Sequence, residues 1–170
     1  TESNAMKLNS SGGKNSWDPK KYLNIWVCDL TNSQGGGQTL GYAYLPGLLA
    51  GFGQNAWKDG LVVDYRYFGT NGIAAPSSDG RTATHEIGHY LGLNHTFSED
   101  NWPSYSCLDS QGNTICCDRD GGNVDDTPAT DGVYWGNVTA TTNNNTCNDL
   151  SYANVFTTDV LDMDENFMSY

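Results

Sequence analysis

The chain carries three histidines in 170 residues. All three lie in one stretch, His85-Glu86-Ile87-Gly88-His89-Tyr90-Leu91-Gly92-Leu93-Asn94-His95. No other feature constrains the fold as strongly. On a helix, residues four apart share a face, so His85 and His89 can direct two imidazoles at one metal ion. Glu86 sits about 100° round the helix from His85. That places its carboxylate beside the metal rather than on it, where it can accept a proton from bound water. Gly92 admits a positive φ, so the helix can end there and the chain can turn sharply. His95 can then return as a third ligand. Three histidines on zinc leave an open position for water, the arrangement of a catalytic rather than a structural site. The competing explanation is a helix with incidental histidines. Five specified positions coincide by chance in roughly one in 10⁴ to 10⁵ chains of this size.

Charge and composition narrow the partners. Eight Lys+Arg against 20 Asp+Glu leave a formal net charge of −12, with a pI near 4.2. Such a surface repels phosphate backbones and anionic headgroups, which argues against nucleic acid and membrane surfaces. No apolar run approaches the roughly 20 residues of a membrane span. Ten Tyr, five Trp and five Phe supply core volume. The length suits one domain better than two.

Of the five cysteines, Cys107, Cys116, Cys117 and Cys147 lie in the loop-rich second half. A bridge would help most there, which favours an oxidising compartment and a secreted, extracellular or cell-surface location. Cys28 lies in the apolar run Tyr22–Leu30 and reads as a buried, inert thiol. The start, Thr1 to Met6, lacks a signal-peptide pattern, so any export signal is expected to have been removed or to lie upstream.

Along the chain, residues 1–21 are polar and read as loop. Leu23 to Cys28 is apolar on both alternating faces and predicts an interior strand. Leu40 to Leu45 predicts a short strand stopped by Pro46, which suits a sheet edge. Leu61 to Tyr67 is the third strand candidate. Arg81–Leu91 has helical composition, with Gly92 where a C-cap glycine belongs. Residues 98–150 are rich in Asp, Asn, Gly and Thr, and an irregular tract this long needs tying down by disulfides or metal.

The motif resembles the long zinc-binding signature of the metzincin metallopeptidases, and the surrounding residues resemble the pappalysin family among them. The similarity runs through Tyr22-Leu23-Asn24-Ile25-Trp26-Val27, Leu40-Gly41-Tyr42-Ala43, Arg81-Thr82-Ala83-Thr84, His95-Thr96-Phe97 and Asp126-Thr127-Pro128. Near the end, Glu165-Asn166-Phe167-Met168-Ser169-Tyr170 resembles the family's Met-turn. The resemblance implies an α+β, metzincin-like zincin catalytic domain over residues 1–170. It would have a twisted mixed sheet, an active-site helix and a long irregular C-terminal half. Family domains also carry an earlier strand and helix and a C-terminal helix, so the chain reads as an incomplete domain.

The same resemblance implies roles. Met168 would lie beneath the metal as a structural residue, and Tyr170 would lean toward it and steady the oxyanion. A Cys107–Cys147 bridge would close the acidic loop, since similar positions are bridged in the family. Hard oxygen ligands in that loop suit calcium, and the resemblance favours Asp125, Asp126 and Thr127, with Asp118 and Asp120 as further candidates. A merely solvated acidic loop is the alternative. Asn94 opens one of four N-x-Ser/Thr triplets, yet a glycan between two zinc ligands would block the cleft; these triplets read as incidental and favour a bacterial source.

The expectation is therefore a secreted zinc metalloendopeptidase, with Glu86 as general base and protein or peptide substrates. One catalytic zinc and a structural calcium would be its cofactors, and another fragment of the same precursor could accompany it. A zinc- and calcium-stabilised binding or inactive fragment without turnover is the rival.

Overall fold

A computed structural model of the chain describes residues 4–31, 39–45, 55–76, 78–97, 126–130, 144–151 and 155–169. The chain separates into two compact units, Thr1–Leu93 and Asn94–Tyr170.

Among the described residues, the first unit is built on a three-stranded sheet. Strand β1 (Ile25–Cys28) runs parallel to β3 (Leu61–Asp64), and β2 (Gly41–Ala43) runs antiparallel to β3 on its other side. The order is therefore β1-β3-β2. The central strand is β3, whose four residues are all buried. This corrects the sequence expectation, which put the Leu23–Cys28 segment inside the sheet. In β1 the Trp26 ring is buried while Ile25 and Val27 are 43% and 45% exposed. Apolar alternation reports what a strand face can bury, not which neighbour covers it. The expected third strand also ends early. Asp64 turns the chain into a 3₁₀ turn at Tyr65–Tyr67 by accepting from the Arg66 N–H.

Trp26, Tyr42 and Val62 form the core of this unit, with Met6, Cys28, Leu30 and Tyr44 packed against them. The polar opening segment is more than loop. It forms 3₁₀ turns at Ala5–Lys7 and Asn9–Ser11, and it buries Lys7 completely. The Lys7 ammonium lies 4.8, 5.2 and 4.9 Å from the ring centres of Trp26, Tyr42 and Tyr44, and donates to the Lys58 carbonyl at 2.7 Å. Helix α1 (Thr82–Tyr90) packs on β2 and β3.

The second unit has little regular structure among its described residues, namely 3₁₀ turns at Asp149–Ser151 and Phe167–Ser169. Side-chain carboxylates do the work of a sheet ladder. Buried Asp149 accepts from the Ala129 and Val160 N–H groups at 2.8 and 2.9 Å. Asp162 accepts from the Thr146 N–H and hydroxyl and from the Asn144 amide, while its own N–H donates to the Asn144 carbonyl.

Candidate metal centre and active site

Helix α1 carries the first two histidines and the glutamate of the motif, and it ends as the sequence dictates. Gly92 adopts φ +98°, its N–H donates to the His89 carbonyl, and the Leu93 N–H reaches back to the Gly88 carbonyl. This is a Schellman closure, which only a residue free of Cβ strain forms readily. It fixes the direction in which the chain leaves the helix toward His95.

His85 and Glu86 are buried, at 6% and 5% exposure. The rings of His85 and His89 meet edge to face with centres 4.6 Å apart. His89 Nδ1 lies 2.8 Å from the Leu93 carbonyl oxygen. A carbonyl only accepts, so Nδ1 holds the proton and the ring's lone pair lies on Nε2. Within the continuous stretch 85–95, His85, His89 and His95 each offer a ring nitrogen, and these lie within 4.8 Å of one another. Three neutral imidazoles are a fitting donor set for zinc. Glu86 stands next to Gly41 of β2.

His95 is steadied locally. Its ring stacks on Phe97, with centres 4.9 Å apart and planes 8° from parallel. The Thr96 N–H donates to the Met168 carbonyl at 3.2 Å. Buried Met168 sits in the Phe167–Ser169 turn, which Asn166 closes by accepting from the Met168 N–H at 2.8 Å. The segment that resembles a Met-turn is thus bonded to the residue that follows the third histidine.

The remaining candidates divide. Asp126 is exposed and Thr127 half-buried. Tyr170, Asp118, Asp120, Asp125, Cys107, Cys116 and Cys117 lie outside the described residues. Cys147 is buried. Cys28 is a free, half-buried thiol held protonated first by burial and then by the nearby charges of Asp64 and Asp29, which leaves it unreactive. Sequence reading missed Gly41, whose bearing on Glu86 shows only once β2 and α1 are packed together.

A three-stranded mixed sheet backed by a helix with this histidine set defines a metzincin-type zinc-peptidase fold. The family model for peptidase M43, described as pregnancy-associated plasma protein-A, matches residues 8–170, and the chain belongs to that family, the pappalysins. It is similar to mature mirolysin of Tannerella forsythia, solved in complex with a cleaved peptide. The TM-score is 0.70 and the identity 34%, over 100% of this chain and 53% of that one. An extracellular metalloprotease of Arthroderma otae is 37% identical over 108 residues, 62% of this chain and 31% of the relative. Matrilysin of Felis catus is 38% identical over 79 residues, 45% of this chain and 28% of the relative. The chain therefore spans about half of the solved relative and 31% and 28% of these two curated ones. No helix among the described residues is long and apolar enough to cross a membrane.

Proposed function

We propose that this chain supplies the catalytic site of a secreted zinc endopeptidase. The observation that carries the reading is the convergence of His85, His89 and His95 nitrogens within 4.8 Å, with buried Glu86 on the same helix. When bound, zinc polarises the peptide carbonyl and acidifies a water. The chain's own residues do the rest. The Leu93 carbonyl keeps His89 in the tautomer that presents Nε2. The Glu86 carboxylate accepts the proton of the attacking water and delivers it to the leaving nitrogen. Tyr170 donates a hydrogen bond to the developing oxyanion. Strand β2 pairs only with β3 among the described strands, and its other edge takes an extended peptide by strand addition.

In the same reading, a Cys107–Cys147 bridge closes the acidic loop, and calcium held by Asp125, Asp126 and Thr127, with Asp118 and Asp120, orders it. The names of the extracellular relatives support export.

The test is peptide hydrolysis with and without a zinc chelator, together with Glu86→Gln. That variant keeps the shape of the side chain and removes the proton acceptor. Zinc content should stay at one per chain while hydrolysis falls about 10²-fold or more. Chelator-insensitive cleavage, or near-normal turnover in Glu86→Gln, overturns the reading. A preparation that binds peptide and zinc without cleaving is the non-catalytic module.

A further inference from the structure

Gly41 opens β2 opposite Val63 of β3. Its backbone does not call for glycine, because it is extended and absent from the described glycines with positive φ. A glycine inside a strand is less favourable than alanine, since it has more freedom to lose and no side chain to pack. Something else therefore accounts for it here. A Cβ built on Gly41 would lie 2.8 Å from Oε1 and 2.9 Å from Cγ of Glu86, and 3.0 Å from the Val62 carbonyl oxygen. The first two distances are shorter than real Cβ contacts allow, so Glu86 or the strand would have to move. By contrast, Gly12, Gly69 and Gly72 have open space where a Cβ would go, and each has a positive φ that explains it.

We propose that Gly41 is a positioning residue for Glu86, its missing side chain being the space in which the carboxylate sits. This rests on the reading of Glu86 as general base and names what sets its place. Glu86 is 5% exposed on a helix packed against β2 and β3, so its displaced carboxylate cannot swing freely into water. It would shift within the helix–sheet contact, away from the place where it meets the attacking water. Displacement of about 1 Å at a reacting group is enough to cost up to about 10²-fold in rate. The main-chain donors and acceptors of β2 are unchanged by a methyl group, so substrate binding should survive.

The experiment compares wild type, Gly41→Ala and Gly41→Val in the full protein that contains this chain. The expected result for Gly41→Ala is one zinc per chain, a melting temperature at or below that of wild type, KM within about twofold, and kcat lower by about 10- to 100-fold. Gly41→Val should lose more. In a Glu86→Gln background, Gly41→Ala should cause no further loss, since the group it acts through is already disabled. Glu86→Asp withdraws the carboxylate by one methylene, so Gly41→Ala should add little there as well. If Gly41→Ala alone proves unstable, the Gly41→Ala/Glu86→Asp pair should restore its melting temperature. A zinc-loaded crystal structure of Gly41→Ala should show the Glu86 carboxylate displaced. Wild-type kcat in Gly41→Ala, or equal losses with and without the Glu86 carboxylate, overturns the proposal. Full turnover in Glu86→Gln instead overturns the base assignment, and the crystal structure distinguishes the two failures.

Discussion

In the first unit, two buried charges, Lys7 and Asp64, are met by partners. Lys7 is enclosed by three rings and a carbonyl. Asp64 is fully buried and accepts from Arg66 Nε at 2.8 Å and Nη2 at 2.6 Å, and from the Leu30 N–H at 2.9 Å. In the second unit, buried Asp162 and Asp164 have no guanidinium or ammonium against them among the described residues. The Asn144 amide bridges the pair, while Asp162 Oδ1 and Asp164 Oδ2 have no hydrogen-bond partner among the described residues. The titration follows. Hydrogen bonds from Arg66 hold Asp64 down at about 2. Burial pushes Asp162 up against the lowering effect of the Thr146 bonds, and burial likewise pushes Asp164 up. A carboxylate that has found a cation stabilises the folded chain; one that has only been buried costs it.

The largest effect should come from the cation cage. Lys7→Ala removes a fully buried stem as well as the charge above three rings, and should cost about 3 kcal/mol in chemical denaturation. Lys7→Met keeps the stem and should cost about 1 kcal/mol, mainly because the Lys58 carbonyl loses its donor. Equal losses in the two variants would mean that the charge, rather than the packing, holds the opening segment.

Asp64→Asn comes next, and pH sharpens it. The folded carboxyl is held below its ordinary value of 3.8, so its contribution is full above that value and is lost as pH falls from about 4 toward 2. Its size is about 1–2 kcal/mol, discounted because Arg66 is 30% exposed. The stability gap between wild type and Asp64→Asn should therefore be constant from pH 7 to 5 and close below 4. Using the gap cancels the titration of the histidines, which both proteins share. A gap that persists at pH 2 would show that the lost bonds from Leu30 and Arg66 are geometric rather than ionic.

What was legible in the sequence was mostly local. Gly92 after a helical stretch announces its own closure, and the spacing of His85, His89 and His95 states a shared target. The strand segments were legible as apolar runs, but their order was not. Nothing local says that Leu61–Asp64, which ends in a carboxylate, is the centre of the sheet, because the guanidinium that makes Asp64 tolerable is aimed by the turn that follows. Lys7 was unreadable for a similar reason: its cage comes from Trp26, Tyr42 and Tyr44, far along the chain. The Met-turn reading of Met168 came only from resemblance, since taken alone Met168 is an ordinary buried core residue. Gly41 was invisible because a glycine's reason can lie in a neighbour it does not yet have.

The smallest predicted effect runs in the opposite direction, toward stabilisation. Asp162 and Asp164 are 6% and 3% exposed, and beyond burial a neighbouring charge raises the cost of ionising each: Asp164 acts on Asp162, and Glu165 on Asp164. Asp164→Asn keeps the shape and removes one charge that burial opposes. Asp162 is the poorer choice, because its Oδ2 accepts from the Thr146 N–H and hydroxyl and from Asn144, and those bonds would be weakened. The folded carboxyl of Asp164 is raised, so the wild-type penalty is absent at low pH and grows as pH rises through that raised value. Asp164→Asn should thus gain about 1 kcal/mol at pH 7 to 8, with the gain shrinking toward zero as pH falls to about 4. This is the reverse of the Asp64 profile, and melting curves of the two variants over one pH series would display both. Loss of stability in Asp164→Asn at neutral pH would break the comparison, because it would mean that the pair needs its full negative charge and that the second unit, like the first, has a counter-charge for it.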